Sequence, residues 1–555
     1  MIDKNYNPQL KGDRGALKRA LYKACGHTEE ELRKPIIAIA NSYSDATPGH
    51  AGFNTIAQQV RRGIEDAGGC AMEFGVIAPC DGIAEGHEGM RYILPSRDLI
   101  ASSVECMTRA HDFDGIVLLG SCDKIVPGLL MAAARLDKSA IFCNLGPMYP
   151  AVYNNRHWDG NIITEAMGWK QRGLIDEKEF KKIEDLAEPC FGSCAMLGTA
   201  NTMCSVAEAL GMSLPGCATV PAIDKERNDY AYESGKAIVE LVKKGITGRD
   251  IINRKSIENA IRLIMGIGGS TNAIMHLQAI NEDAGLPPLK LSEFSVFSKS
   301  TPQVASIYPA SEYDMVDYHL AGGVPAVLNE LKPLLNLDAM TVTGKTIGEN
   351  LAEFTGTKDE NVIRPIKRAF NKEGGIGVLE GNIAPLGAIV KPAAIPEHLH
   401  HVTLPARVFD SENEAIDGIM SGDIPQDTCL VLRYEGPKGG PGMPEMYRPM
   451  KALEGMGLSN TCALITDGRF SGSNRGCFVG HISPEAYEGG LLAIVEDGDM
   501  IELDIENQKI ELHLGEETIA KRQANWHRKE KNIKPGYLET YKRTSASAAE
   551  GASVR

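Results

Sequence analysis

The stretch Asp114–Leu145, DGIVLLGSCDKIVPGLLMAAARLDKSAIFCNL, decides the class of the fold. The apolar run over 114–120 predicts a buried strand, and PGLLMAAARL over 127–136 predicts a helix with proline in its first turn. The run SAIFCNL over 139–145 predicts the next strand. Strand, helix and strand at this spacing form a βαβ unit, so we expect a largely parallel sheet with helices on both faces.

The same alternation continues toward the N-terminus. PIIAIAN over 35–41 predicts another buried strand, and 54–67 predicts a helix because Ile56, Val60 and Ile64 recur at helical spacing. The first part of the chain therefore belongs to the α/β class.

The pattern changes beyond about Gly374, where short apolar segments alternate with glycine and proline. We predict an α/β domain over 1–365 and a smaller, β-rich, barrel-like domain over 366–555, and the Ser/Ala-rich tail 544–555 predicts disorder. The expected strands of the second domain are 376–379, 388–390, 403–409, 428–434, 462–466, 492–495 and 500–504.

Composition narrows the class of function. The net charge of −15 argues against nucleic acid as the main partner, because phosphate binding needs a basic surface. No apolar run reaches the roughly 18–20 residues of a membrane span, and the first residues lack the pattern of a secretory signal. We therefore expect a cytoplasmic protein with no membrane partner, whose thirteen cysteines are not disulfide-bonded.

Cys122, Asp123 and Lys124 lie between the strand and the helix of the βαβ unit. Ligands bind at the carboxyl ends of strands in open parallel sheets, so this loop is well placed for a site. A thiolate suits iron, and a carboxylate suits Mg²⁺ or Mn²⁺. Taken alone, the motif is a weak signal, and an ordinary loop with an aspartate that helps to cap the helix explains it better.

Two further cysteine motifs could contribute to the same site. Cys80 and Asp81 stand in a glycine-rich loop that could also be a surface turn. Cys190 and Cys194 are separated by three residues, a spacing that fits an Fe–S cluster better than zinc, although two buried cysteines would look the same.

Two loops of the second domain complete the candidate site. The Gly/Pro-rich loop Tyr434–Glu445 brings backbone close to a ligand and ends on a possible metal ligand, Glu445, but such loops also cradle phosphates. Ser471 lies in the sharp turn Asp467–Ser473. It could act as a base only if an adjacent cation lowers its pKa, and otherwise the turn is an ordinary one.

Taken without a family resemblance, these motifs allow two classes of function. A phosphate-binding hydrolase or synthetase would use the glycine-rich loop and would need no iron. A non-catalytic Fe–S sensor would keep the cysteines but would not need Asp81, Glu445 and Ser471.

In this order, the motifs resemble those of the dihydroxy-acid/phosphogluconate dehydratase family over nearly the whole chain. The resemblance implies an active site between the two domains and a homodimer. It implies Mg²⁺ (or Mn²⁺) on Asp81, Asp123 and Glu445, with Lys124 carbamylated. The motifs are Asp81-Gly-Ile, Cys122-Asp-Lys-x-x-Pro-Gly128, Cys194 with Thr199-Ala-Asn-Thr202, Gly268-Gly-Ser-Thr-Asn272, Glu435–Glu445 and Asp467-Gly-Arg-Phe-Ser-Gly472.

The resemblance also implies an Fe–S cluster on Cys122 and Cys194 and makes Ser471 the general base. Members with a 2Fe-2S cluster carry a cysteine after proline in an early loop, whereas this chain has Gly49 there. A 4Fe-4S cluster is therefore favoured over 2Fe-2S. Its third thiolate is then Cys80 or Cys190, with Cys80 slightly preferred.

The implied reaction removes water from a small 2,3-dihydroxy carboxylic acid to give a 2-keto acid. The loops 434–445 and 466–472 are most similar to the enzyme of valine and isoleucine biosynthesis, which acts on 2,3-dihydroxy-3-methylbutanoate and its 3-methylpentanoate homologue. The stretch 122–130 with Cys80 and Asp81 is equally similar to the sugar-acid enzymes, and Glu85 stands where the branched-chain enzymes usually have Met. A sugar acid of the aldonate or phosphogluconate type therefore remains the alternative substrate.

Overall fold

The βαβ unit at 114–145 forms one half of a four-stranded parallel sheet. The computed structural model describes residues 7–470, 472 and 476–555. The strand order is β2-β1-β3-β4, and every residue of β1, β3 and β4 is buried, as expected for a sheet covered on both faces. The strands are β1 (Ile36–Asn41), β2 (Cys70–Gly75), β3 (Gly115–Leu119) and β4 (Ser139–Cys143).

Helices surround this sheet, and a short hairpin of β5 (Ala151–Tyr153) and β6 (Arg156–Trp158) follows it. Two of the helices cross at Gly63 and Gly235, where a Cβ atom on Gly63 would lie 2.0 Å from the Tyr232 carbonyl oxygen. The helices are α1 (Ala16–Ala24), α2 (Phe53–Asp66), α3 (Asp81–Ala84), α4 (Ile93–His111), α5 (Ile125–Leu136), α6 (Ile162–Gln171), α7 (Glu177–Leu186), α8 (Thr199–Ala209), α9 (Lys225–Lys244), α10 (Gly248–Ile251), α11 (Arg254–Ile267), α12 (Asn272–Asp283), α13 (Leu291–Ser300), α14 (Met315–Leu320), α15 (Gly323–Glu330) and α16 (Ile347–Ala352).

A second, eight-stranded sheet forms the C-terminal part, in the order β14-β13-β9-β10-β11-β12-β8-β7. Its two edges approach each other, because Glu380 donates to the Gln508 carbonyl and accepts from the Ile510 N–H, so the sheet is nearly closed. The expected barrel-like fold is confirmed. The strands are β7 (Gly377–Leu379), β8 (Gly387–Val390), β9 (His401–Phe409), β10 (Cys429–Leu432), β11 (Ala463–Thr466), β12 (Cys477–Ser483), β13 (Met500–Asp504) and β14 (Lys509–His513).

Separate hydrophobic cores support the two parts. One core lies around the parallel sheet, a second fills the barrel, and a third lies between the barrel and two of its helices. The exact domain boundary at residue 365 stays a prediction. The helices of this part are α17 (Glu412–Met420), α18 (Tyr447–Gly455), α19 (Glu516–Asn525) and α20 (Tyr537–Thr544).

The segment 492–495 is not the expected strand. Leu491–Ile494 form a 3₁₀ helix. Arg433 donates to the carbonyls of Leu492, Ala493 and Val495 at 2.7–3.2 Å, so these carbonyls are satisfied by a side chain rather than by a neighbouring strand.

The prediction that the tail 544–555 is disordered is also wrong. Ala548 and Ala552 are buried in a small cluster with Leu94, Met275 and Met443, so the tail packs between the two parts of the molecule. Among the described residues, no helix is both long enough and apolar enough to cross a membrane.

Candidate metal and thiol site

Three carboxylates from distant parts of the chain meet at one point. Asp81 begins α3, Asp123 lies in the β3–α5 loop, and Glu445 ends the Gly/Pro-rich loop before α18. One oxygen of each lies within 4.8 Å of the other two. Asp123 and Glu445 are buried, and the structure thus brings together the three residues that the resemblance makes metal ligands.

The charges of these three carboxylates favour the binding of a cation. Burial, together with repulsion from Asp123 and Glu445, raises the pKa of Asp81 to about 8. Burial opposes ionisation of Asp123 too, but Lys124, whose Nζ lies 3.2 Å from an Asp123 oxygen, holds the pKa of Asp123 below its usual value. The site without metal therefore keeps a proton at neutral pH.

Glu445 is held by two side chains that the sequence did not single out as functional. Arg469 Nη1 lies 3.0 Å from Glu445 Oε1, and the Asn272 amide donates to the same oxygen at 3.0 Å. Both partners are fully buried. Arg469 lies in the motif Asp467–Gly472, and Asn272 ends the motif Gly268–Asn272. Their place in these motifs is the sequence signal that could have identified them.

The Gly/Pro-rich loop 434–445 does not offer its amides to a phosphate. Two N–H groups at its start donate to the Asp467 carboxylate at 2.9–3.1 Å. Lys438 and Gly439 donate their N–H groups to the Glu485 carboxylate at 3.0 and 2.8 Å. Since buried carboxylates already occupy these donors, the loop is unsuited to the phosphate-binding alternative.

Cys80, Cys122 and Cys194 lie close enough to Asp81 and Asp123 for these carboxylates to raise the pKa of each thiol. Burial is the main cause that raises the pKa of each thiol, and to about 11 for Cys80. Ionisation of Cys80 or of Cys194 would raise the pKa of Cys122 further, which places all three thiols in one electrostatic neighbourhood. Cys194 as a whole residue is nevertheless exposed to solvent.

Cys190 belongs to a different environment. Its sulfur accepts a hydrogen bond from the Tyr149 N–H at 3.4 Å. Burial is the main cause that raises its pKa, and the nearby charges are Glu188 and Asp224 rather than those of the carboxylate group. These contacts favour Cys80 over Cys190 as the third thiolate.

The early loop that carries Gly49 packs directly on Cys122. A Cβ atom on Gly49 would lie 2.3 Å from Cys122 Sγ, so only glycine fits beside the thiol in this position. His50 Nε2 accepts the Cys122 N–H at 3.1 Å, and its Nδ1 lies 2.8 Å from the Ser42 carbonyl oxygen. Burial lowers the pKa of His50 to about 4, so the ring is neutral and can orient the Cys122 loop.

Ser471 lies outside the described residues, but its chain neighbours are placed. The Phe470 carbonyl accepts from Thr271 Oγ1 at 3.4 Å. A Cβ atom on Gly472 would lie 3.2 Å from the Leu197 carbonyl oxygen, three residues after Cys194 in the chain. The described neighbours of Ser471 therefore lie beside two other segments, Phe470 at the start of α12 and Gly472 near the segment that follows Cys194.

Sequence matches to known proteins cover nearly the whole chain. Residues 34–350 match the family model of the dihydroxy-acid/6-phosphogluconate dehydratase N-terminal region, and residues 361–552 match that of the C-terminal region. A protein named dihydroxy-acid dehydratase from Caldanaerobacter subterraneus subsp. tengcongensis is 50% identical over 548 residues, which are 98% of each chain. Proteins with the same name from Methanococcoides burtonii and Pyrococcus abyssi are 48% and 47% identical, again over 98% of this chain and of their own. The chain therefore belongs to the dihydroxy-acid/6-phosphogluconate dehydratase family.

Proposed function

We propose that this hydro-lyase is a dihydroxy-acid dehydratase of valine and isoleucine biosynthesis. Its substrates would be 2,3-dihydroxy-3-methylbutanoate and the 3-methylpentanoate homologue. The observation that carries the proposal is the group of three carboxylates beside three thiols. The names of relatives at 47–50% identity support the branched-chain substrate.

The carboxylate group fits a hard divalent cation. Asp81, Asp123 and Glu445 supply oxygen ligands, which Mg²⁺ or Mn²⁺ prefers. Lys124 is 1% exposed beside Asp123, and as an ammonium it has no lone pair to offer a metal. Carbamylation would give it two oxygens, so we propose a carbamylated Lys124 as the fourth residue of the metal site.

The thiol group fits an Fe–S cluster held by Cys80, Cys122 and Cys194. Three thiolates would leave one iron of a 4Fe-4S cluster without a protein ligand. Gly49 supports this assignment, because its position beside Cys122 offers no fourth thiolate. The carboxylates next to the thiols have no purpose in a non-catalytic Fe–S sensor.

In the proposed reaction, residues of the chain have separate roles. When bound, the metal ion and the cluster would supply Lewis acidity toward the oxygen atoms of the substrate. Ser471 would take the proton from C2, and the electrons of that C–H bond would form the C2–C3 double bond as the 3-hydroxyl departs as hydroxide. The hydroxide would leave as water after it takes up the proton that C2 lost. The resulting enol becomes the 2-keto acid. Arg469 and Asn272 would keep the Glu445 carboxylate in one orientation throughout.

An anaerobic assay with Mg²⁺ tests the proposal. The purified protein is offered 2,3-dihydroxy-3-methylbutanoate and a panel of aldonic acids, and iron and sulfide are measured on the same sample. We expect keto acid from the branched substrate. Activity on aldonic acids alone would show that the substrate is a sugar acid rather than the branched acid. An iron-free protein that stays inactive after cluster reconstitution would contradict the proposed dehydratase activity.

The resemblance further supports a homodimer in the cytoplasm. The state of assembly can be measured as the mass of the intact protein in solution. A monomeric mass for the fully active enzyme would contradict the proposed dimer.

Binding of Mg²⁺ to the metal-free protein should release about one proton at pH 7. The reason is the raised pKa of Asp81, about 8, which keeps this carboxyl protonated until a cation replaces the proton. Calorimetric titration in two buffers of different ionisation enthalpy counts the protons. The release should shrink at pH 9, where Asp81 is already ionised, and an equal release at both pH values would contradict this assignment.

The Cys80→Ser variant should lose the Fe–S cluster, whereas the Cys190→Ser variant should retain it. The two thiols are the candidate third ligands, and only Cys80 shares the environment of Cys122. Iron content and the visible absorption of anaerobically purified variants give the answer. Full iron in Cys80→Ser together with loss in Cys190→Ser would reverse the assignment.

A further inference from the structure

His276 is a fully buried histidine of α12 that the reaction described above does not use. Burial, followed by the positive charge of Lys124, lowers the pKa of His276 well below its usual value, so the ring is neutral. Arg97 Nη1 lies 3.2 Å from His276 Nδ1, and a guanidinium offers only donors, so Nδ1 accepts this hydrogen bond. The ring proton is therefore on Nε2, which has no hydrogen-bond partner among the described residues.

This buried N–H group lies among cations. A buried donor without an acceptor is unfavourable, and each one in a native structure needs an explanation. The charges that act most strongly on His276 are those of Lys124, Arg97 and Arg469, and all three side chains offer only donors. His481 acts more weakly on the same ring, and its Nε2 is also without a partner in the described part of the chain, so the two Nε2 atoms are not bonded to each other. None of these groups, in its ordinary form, accepts the His276 N–H.

The start of α12 lies at the proposed metal site. The Asn272 amide donates to Glu445 at 3.0 Å, and α5 begins directly after Lys124, whose Nζ lies 3.2 Å from an Asp123 oxygen. Both helices therefore begin beside the group of three carboxylates. His276 follows Asn272 by one helical turn and lies on the same face of α12.

The two helices then run side by side. Near their other ends, Arg135 of α5 forms an ion pair with Asp283 of α12 at 2.8 Å. Arg97 connects the first turn of α5 to His276, because its carbonyl oxygen would lie 2.6 Å from a Cβ atom on Gly128 and its guanidinium binds the His276 ring. His276 is therefore beside the first turn of α5, the turn that Lys124 precedes.

We propose that His276 is a positioning residue that donates its Nε2–H to a carbamate on Lys124. Carbamylation needs carbon dioxide as co-reactant. The neutral Nζ forms a bond to its carbon, the electron pair of one C–O π bond moves to oxygen, and Nζ loses a proton to solvent. Lys124 is the only one of the three cations that can react in this way, because the two guanidiniums keep their protons.

The product of this reaction is the acceptor that the His276 N–H needs. A carbamate is an anion with two oxygens, so one oxygen can bind the metal while the other accepts the hydrogen bond. The buried donor would then favour carbamylated Lys124 over the ammonium. The inference rests on the proposed function, which includes the carbamylated lysine.

The test compares His276→Asn and His276→Gln with the wild-type holoenzyme. Asparagine keeps an acceptor for Arg97 near the position of Nδ1 but has no atom at the position of Nε2, whereas glutamine places an amide N–H there. Each protein is equilibrated anaerobically with Mg²⁺ and increasing ordinary or isotope-labelled bicarbonate, the source of carbon dioxide. The isotope-dependent infrared band of the carbamate measures its occupancy, with Lys124→Met as the blank.

His276→Asn should need about 10–100-fold more bicarbonate for half occupancy, the effect of losing one hydrogen bond to a charged group. Its kcat should rise with bicarbonate in parallel with the carbamate band, and His276→Gln should recover part of the loss. His513→Asn, which removes an exposed histidine of β14, is the matched control and should keep the wild-type bicarbonate dependence.

Three results would overturn the inference. The first is a wild type without a carbamate band beyond that of the blank, and the second is a wild-type bicarbonate dependence in His276→Asn. The third is a loss that follows a lower unfolding temperature and that neither excess bicarbonate nor His276→Gln relieves. Keto-acid formation is measured separately on the wild type, so a carbamylated enzyme that is inactive on 2,3-dihydroxy-3-methylbutanoate would contradict the proposed substrate alone.

Discussion

A Ser471→Ala variant should lose about 10²–10⁴-fold in kcat, the usual contribution of a general base. The variant keeps Asp81, Asp123, Glu445 and the cysteines, so its Mg²⁺ affinity and iron content should equal those of the wild type. The measurement is the rate of keto-acid formation under anaerobic conditions, with metal and iron determined on the same preparation.

Exchange of the substrate's C2 hydrogen provides a second readout for the same variant. If Ser471 takes the C2 proton, the variant should also fail to exchange this hydrogen with deuterated solvent. Ser421→Ala, which removes a hydroxyl from the end of α17, is the control and should keep full activity. Wild-type turnover in Ser471→Ala would remove this serine from the mechanism.

The sequence predicted the elements whose residues carry their own periodic signal. The runs 114–120 and 127–136 became β3 and α5 because nearly all of their residues are buried in one core. Asp123 was placed correctly at the carboxyl end of β3 because the position of a βα loop follows from sheet topology. The approach of Asp81 and Glu445 to Asp123 was implied only by the family resemblance.

The features that were missed depend on partners far away in the chain. The 3₁₀ helix at 491–494 looks like a strand until Arg433 is seen to bind its neighbouring carbonyls. The roles of Arg469 and Asn272 depend on Glu445, which belongs to another loop. No local pattern contains such contacts, so single-sequence reasoning could not find them.

The tail 544–555 is the clearest case, because its order depends on donors in α4 and α12. Arg97 Nη2 donates to the carbonyls of Gly551 and Ala552 at 2.9 and 3.1 Å. The Gln278 amide donates to the carbonyl of Ala549 at 2.6 Å. Serine and alanine alone indicate disorder, but buried donors from other segments satisfy the backbone of the tail.

An Arg97→Met variant should therefore release the tail and destabilise the protein by about 3–5 kcal/mol, the usual cost of breaking a buried ion pair. Arg97 is fully buried and pairs with Asp98 at 3.0 Å, and Asp98 in turn accepts the Val554 N–H at 2.8 Å. Without Arg97, the Asp98 carboxylate stays buried with no ion-pair partner among the described residues. The Gly551 carbonyl loses its arginine donor, and the Ala552 carbonyl keeps only the Tyr541 hydroxyl as a donor. Hydrogen exchange of the amides at 546–554 measures the release, and chemical denaturation measures the stability.

Arg555→Met is the matched control, because it removes an arginine of the same tail that forms only exposed ion pairs with Glu282 and Glu550. Such pairs contribute about 0–1 kcal/mol, so tail exchange and stability should stay near wild type. If Arg97→Met left the tail amides as protected as before, the packing of Ala548 and Ala552 against Leu94 and Met275 would have to hold the tail without the arginine. Fast exchange in Arg97→Met alone would instead show that one buried side chain in α4 determines whether this polar segment is ordered.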